Sequence, residues 1–389
     1  MSDIFDLIKR FPWLPSKDEY YSKIADPVDF ISDILNSEKF NEIDKRILLL
    51  FESAFQNLEY FSEYKPDEIN IYLYILLRML LEILDERTIS NRVANIYSKT
   101  TFRELNKESE YNLYYIYKDL NLDVLYEEKP IIYKKNIIKD QYEILKTNFR
   151  IYYIDYLKLS SKLRDNKRKL INNSLLNGYV FIQPKDLNRL IQENVRMKIL
   201  NSNNKNSKQA QILKDKLLEN QEFRGIFEKI QKIWESKKEE FEYKFEIGFK
   251  KDQDISENFP PCLKEIFSKL KEGQNLIHTE RLFIVWFLNA LKYPEDEIIN
   301  VFSILPDFDR DKTRYQVRYA IKKGYTPYSC QTLKSYSLCM AKKYKDKLCL
   351  EGYYSKKYDV QKQISHPLFY TQFKQFVNSI KKEAEPENP

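Results

Sequence analysis

Residues 260–291 read PPCLKEIFSKLKEGQNLIHTERLFIVWFLNAL. Their apolar positions return every three or four residues on both sides of Gly273, which predicts two helices, Cys262 to Leu270 and Arg281 to Leu291. A cysteine sits at the start of the first and a histidine just before the second. Both residue types are scarce: the 389-residue chain has four cysteines (Cys262, Cys330, Cys339, Cys349) and two histidines (His278, His366), all in its last third. Nothing in MSDIFDLIKRFPWLP reads as a signal peptide, because Asp3, Asp6, Lys9 and Arg10 interrupt its apolar positions. In a cytosolic chain thiols stay reduced, so clustered cysteines point to metal or catalysis before disulfides.

Working outward, Glu295 to Phe302 reads as a third helix, and then the charge changes. From Arg310 to Lys347 there are eleven Lys or Arg against two Asp, interleaved with Tyr315, Tyr319, Tyr325, Tyr328, Tyr336 and Tyr344. Cationic groups beside aromatic faces are what phosphates and unstacked bases bind, although a lysine-rich solvated face has the same composition. The cysteine spacing is a gap of 67 residues, then C-x8-C-x9-C. Four thiolates suit tetrahedral zinc or a [4Fe-4S] cube; the lack of a tight C-x2-4-C knuckle favours the larger core without deciding.

Upstream, Ser236 to Asn258 (SKKEEFEYKFEIGFKKDQDISEN) is dominated by charge and loses helical periodicity, so it is expected as a flexible charged linker over 236–257. A flexible tether of about 20 residues has an r.m.s. reach of roughly 20–27 Å. Residues 1–235 are expected to form a helical domain. Within it Ile43 to Tyr60 places Ile47, Leu50, Phe51, Ala54, Phe55 and Leu58 on one face, and Pro66 opens a further helix. A small β element is expected at about 129–183, from PIIY, FRIYYIDYLKL and YVFI. Helix resumes with Asp186 as N-cap, and an Asn-rich turn falls at 201–207. The most apolar stretch, Ile69 to Leu84, carries Arg78 and Glu82 and falls short of the 18 or so residues that cross a bilayer. The expected class is therefore mainly α, with an all-helical domain at 258–389. Six glycines form no GxGxxG or GxxxxGK[ST], which removes Rossmann and P-loop chemistry.

The motifs of the last third have a familiar combination: PPC, H-x-x-R, a PDFD segment followed by TRYQVRY, YTPYSC, SYSLC, the lone Cys349 and SHPLFY. Together they resemble the iron–sulfur domain of the large subunit of archaeal and eukaryotic DNA primase, over nearly all of residues 258–370. NGYVFIQPKDLNRLIQENV (177–195) is similar, more weakly, to the β-containing part of that family's amino-terminal domain. The resemblance implies that Cys262, Cys330, Cys339 and Cys349 hold a [4Fe-4S] cluster. It implies that His278 and Arg281 contact phosphate, with Tyr315, Arg318 and Tyr319 beside them on the initiating nucleotide and primer-template. At Tyr319 relatives often carry histidine; tyrosine donates and stacks but adds no charge.

The implied protein is the regulatory, non-catalytic subunit of a heterodimeric primase, with no catalytic centre of its own. Its expected partners are the small catalytic subunit, single-stranded DNA template, RNA or DNA primer and NTPs, with a third subunit left open and no membrane. Its place is the cytoplasm, associated with the nucleoid, or the nucleus in a eukaryote. Two rivals compete. A stand-alone iron–sulfur nuclease would use Asp307, Asp309 and Asp311, which are otherwise salt-bridged surface groups. A zinc-structured nucleic-acid module is the other. His366, before a proline, reads as structural.

Overall fold

The computed structural model describes residues 4–16, 34, 38–84, 86–138, 141–163, 166–200, 214–247, 257–355 and 359–384. The chain divides into two compact units, Met1–Glu235 and Ser236–Pro389. No helix among the described residues is long and apolar enough to cross a membrane.

The first unit begins with α1 (Ile4–Arg10), α2 (Phe40–Phe55), α3 (Glu68–Leu84), α4 (Arg87–Leu105) and α5 (Glu110–Asp119). Helix α2 buries Ile47, Leu50, Phe51, Ala54 and Phe55 as its periodicity requires, but Leu58 is exposed. The helix stops at Phe55 because Asn57 takes a left-handed conformation (φ 57°), which turns the chain before Leu58 can join the face. Asp67, rather than Pro66, marks the start of α3, its Oδ1 accepting from the Asn70 N–H at 3.2 Å. The apolar Ile69–Leu84 stretch is a buried helix, as expected.

A four-stranded antiparallel sheet follows, in the order β1 (Val124–Ile138), β2 (Gln141–Tyr152), β4 (Tyr179–Ile182), β3 (Leu175–Leu176). It starts at Val124, a few residues before the expected β element. The FRIYYIDYLKL segment is strand only to Tyr152; from Tyr153 it is α6 (Tyr153–Ser160), which buries Tyr156 and Leu159 at helical spacing. Helix α7 (Pro184–Leu200) starts two residues before Asp186, with proline in its first position. Helix α8 (Gln221–Ile247) runs well into the stretch expected as linker. The charged residues there are good helix formers, and charge alone does not break a helix. The rest of that stretch, 248–256, and the Asn-rich turn at 201–207 lie outside the described residues.

The second unit has α9 (Pro261–Lys271), α10 (His278–Ala290), α11 (Glu295–Val301), α12 (Arg310–Lys322), α13 (Cys330–Ser335), α14 (Lys347–Glu351) and α15 (Pro367–Ala384). Phe259, Leu263, Phe267, Phe283, Phe287 and Leu305 lie in its core. The unit is not all-helical: a hairpin of β5 (Tyr353–Ser355) and β6 (Val360–Lys362) stands before α15. Gly352, at φ 78°, enters it so close to the Lys362 carbonyl that a Cβ would lie 2.0 Å from that oxygen. Only glycine fits there.

Candidate nucleotide pocket and thiol centre

Helix α10 opens at His278. The buried Glu280 carboxylate accepts from the Ile277 N–H (3.0 Å) and from Lys269 Nζ (2.6 Å), which fixes the first turn and its tie to α9. Arg281 is therefore not paired with Glu280. Its Nε donates to the Leu276 carbonyl (3.1 Å) and its Nη2 to Asp307 Oδ2 (2.6 Å), so both faces of the fork are anchored.

His278, Arg281, Tyr315 and Tyr319 line one pocket of about 280 Å³ between α10 and α12. Leu282, Val285, Trp286 and Tyr325 complete much of its apolar wall. Tyr315 is 71% exposed, so it is not core packing; its ring stacks on Tyr319 one turn on (6.4 Å, 23°), and Lys323 Nζ lies 5.5 Å over Tyr319. Arg318 stands on the same helix but does not line the pocket, and its Nε donates to Glu295 at 2.6 Å. Trp286 escapes a reading of the sequence, because in RLFIVWFLNAL it passes for one more core residue. In the fold it contacts Tyr325 (5.3 Å) and Tyr328 (4.9 Å), and Tyr328 contacts Tyr336 (5.4 Å), which backs the pocket with rings.

The three aspartates of PDFDRD do not form a cluster for metal ions. Asp307 holds Arg281, Asp309 caps α12 by accepting from the Asp311 and Lys312 N–H groups, and Asp311 faces Arg314 at 3.6 Å. They are ion-paired groups, as the nuclease rival required them not to be.

All four cysteines line a second cavity, of about 410 Å³. Cys262 stands in the first turn of α9, Cys330 opens α13, and Cys349 is in α14, whose N-cap Asp346 accepts from the Cys349 N–H (2.8 Å). Helix starts are electropositive, and a thiolate-ligated centre is negative. In the protonated thiols burial outweighs that field. Burial pushes Cys262 well up, helped by Cys330 and Cys339, and burial followed by Asp346 does the same for Cys349. Among the described residues no three His, Cys, Asp or Glu converge tightly enough for a single ion; the thiols stand around a space instead.

Three clasps close this centre. The Cys330 N–H donates to the Ser365 carbonyl at 2.9 Å. His366 accepts from the Leu368 N–H on Nδ1 (3.2 Å), which leaves Nε2–H to donate to the Pro327 carbonyl (3.1 Å). His366 is structural, as expected. The Tyr370 hydroxyl donates to the other oxygen of Asp346 (2.8 Å).

The chain thus combines a helical unit with a small sheet and a second unit that pairs an aromatic pocket holding Arg281 with a four-thiol centre. Family models agree along the chain. The model for the N-terminal domain of the eukaryotic and archaeal DNA primase large subunit matches residues 24–212, and the model for the C-terminal domain of the same family matches residues 252–379. Similar curated proteins include the DNA primase large subunit PriL of Methanococcoides burtonii, 29% identical over 295 residues and 73% of each chain. The PriL of Methanocella arvoryzae is 26% identical over 371 residues, 92% of this chain and 87% of its own. That of Methanosarcina barkeri is 27% identical over 319 residues, 80% and 65%. The chain belongs to the family of eukaryotic and archaeal DNA primase large subunits. It is a regulatory, non-catalytic subunit in DNA replication, with no catalytic centre of its own and a small catalytic subunit as its partner.

Proposed function

We propose that Cys262, Cys330, Cys339 and Cys349 hold a [4Fe-4S] cluster, and that the pocket around Arg281 grips the 5′-triphosphate of the initiating nucleotide and the primer-template. One observation carries this: residues from four separate segments bring four thiols around one cavity, and a second cavity in the same unit joins an anchored guanidinium to exposed tyrosines. The cavity and donor set fit the cluster, one thiolate per iron. Bound there, it would cross-link helix starts that are far apart in sequence. The chain's own residues do the recognition. Arg281, held through Nε and Nη2, keeps its Nη1 hydrogens and the second Nη2 hydrogen for phosphate oxygens and loses little side-chain freedom on binding. His278, in the first turn of α10, adds a donor beside it. Tyr315 and Tyr319 offer stacking faces to unpaired bases. Arg318 contributes from outside the pocket as a cation on the approach to it.

The domains at 1–235 and 258–389 then divide the labour. The first holds the small subunit and the second holds the nucleotide and primer-template. Ile154 and Leu157, one turn apart on α6, are both exposed, and exposed apolar side chains on one helical face suit a protein partner. This face is the docking surface for the small subunit. A third subunit or another replication protein is compatible with the remaining surface.

The test is to purify the chain with its catalytic subunit, assay iron and sulfide, and measure primer synthesis on single-stranded template by the pair and by each chain alone. About four iron and four sulfide per large subunit, with primers from the pair and none from this chain, is the expected outcome. Stoichiometric zinc in a colourless protein would replace the cluster by a zinc site. Primer synthesis by the isolated chain would overturn the regulatory role.

A further inference from the structure

A cavity of about 510 Å³ in the first unit has no part in the reading above. Trp13, which follows α1, closes one side; Arg78 comes from α3, Lys158 from α6 with Lys162 just beyond it, and Asn194 and Lys198 from α7. Asn194 and Lys198 share the cavity because an i, i+4 pair presents one helical face. Every one of these six side chains can donate a hydrogen bond, and no carboxylate is among the described residues that line the cavity. Asp155 takes Lys158 at 3.0 Å from outside it.

Two of the donors have been taken from water without being given an acceptor. Trp13 is only 2% exposed, yet its indole Nε1–H has no partner, and Arg78 Nε is buried without one as well. A buried unpaired donor costs about 1–3 kcal/mol in general, so a small turn of Trp13 or Arg78 that brings its N–H to an anion in the adjoining cavity recovers that cost. The wanted group has negative charge and several acceptor oxygens, and a space of this size exceeds that of one small ion.

We propose that this cavity is a phosphate-binding site, separate from the pocket at Arg281, that takes a polyphosphate or phosphodiester anion. The indole N–H and Arg78 fix one phosphate at the back. Lys158 and Lys162 neutralise further charge towards the opening.

The experiment uses the full chain labelled with 15N-tryptophan, in which the Trp13 indole resonance is assigned by its loss in Trp13→Phe; Trp234 serves as an internal control and Trp286 reports the pocket at Arg281. Inorganic tripolyphosphate, ATP and a single-stranded oligonucleotide are titrated separately. The Arg281→Ala variant is run in parallel, so that the pocket in the second unit is weakened without touching this one. Tripolyphosphate is expected to shift the Trp13 signal, saturably, in both backgrounds. Arg78→Gln should weaken this at least about tenfold, the scale of one lost charge-assisted bond. The exposed Lys162→Gln, which removes charge without disturbing packing, should weaken it several-fold. ATP acting like tripolyphosphate assigns the site to free nucleotides or polyphosphate. A response to the oligonucleotide alone assigns it to a nucleic-acid backbone. A Trp13 signal unmoved by all three probes at millimolar concentration, or moved equally in Arg78→Gln and Lys162→Gln, overturns the proposal.

Discussion

Arg281 and Asp307 meet at 2.6 Å, and the second oxygen of Asp307 is buried without a partner. The aspartate therefore depends on the arginine, and the arginine is aimed by the aspartate. Arg281→Ala should lower affinity for a 5′-triphosphate primer-template by about tenfold or more while changing that for the 5′-hydroxyl duplex much less. It should also destabilise the second unit by about 1–3 kcal/mol, because it strands a half-buried carboxylate. Adding Asp307→Asn should restore the stability and leave binding weak. Binding isotherms with both duplexes and thermal melts of the three variants check this; equal losses on the two duplexes would rule out triphosphate recognition by Arg281.

Arg318 lies outside the pocket and is paired with Glu295. It should act as a charge on the path of the backbone and not as a specific contact. Arg318→Ala is expected to weaken single-stranded DNA binding for all sequences and to flatten the salt dependence by about 0.7 in log–log slope. Binding measured across a salt series decides it, and an unchanged slope leaves Arg318 as a surface ion pair.

Tyr315 offers an exposed ring stacked on Tyr319. Tyr315→Phe keeps that face and should bind primer-template nearly as wild type. Tyr315→Ala should lose about 1–3 kcal/mol, the worth of one stacked base. If phenylalanine were as damaging as alanine, the hydroxyl and not the ring would be the contact.

Glu265 on α9 accepts from Lys343 (2.6 Å) and Tyr344 (3.0 Å), whose segment lies between Cys339 and Cys349. The Lys343 bond, ahead of every other influence, holds the Glu265 carboxyl below its ordinary range. A carboxylate lowered on folding stabilises the fold above its unfolded pKa of about 4.3, and that stability is lost as pH falls through the folded value. The wild type should therefore melt above Glu265→Gln at neutral pH, by up to about 1 kcal/mol, and the gap should close with acidification below about pH 4. Paired melts between pH 3 and 7 measure it.

The apolar face of α6 gives the last expectation. Ile154→Asp with Leu157→Asp should abolish co-purification with the small subunit, while the chain keeps its helical content. Retained co-purification would move the docking surface elsewhere.

How much of this is legible in the sequence depends on what each residue has to do. Helical faces such as Ile47 to Phe55 are visible because local periodicity and burial agree. The end of that helix is not, since the left-handed turn at Asn57 has no apolar signal. Tyr153 to Ser160 looks like strand by composition, because aromatic and β-branched residues suit both states until packing of Tyr156 and Leu159 decides. In Ser236 to Ile247 charge hides a helix. The cysteines and the His278–Arg281 pair are legible as rare residues in a recognisable pattern. Trp286 and Trp13 are not, because a tryptophan among aliphatics looks like core until the fold shows which atoms go unsatisfied.

The clasps at Ser365, His366 and Tyr370 have a consequence for the order of events in synthesis. These residues follow all four cysteines in the chain, yet they fasten Pro327 and Cys330 and steady the Asp346 that caps the Cys349 helix. The ribosome thus releases every thiol before the parts that lock the thiols in place. For a while the nascent protein offers an open ring of cysteines, and on the proposal of a cluster at these thiols, iron and sulfide would reach this loose precursor and not a finished chamber. On that proposal, loading of the cluster and the closing steps of folding are one event, and a chain starved of iron should accumulate with its second unit half-made.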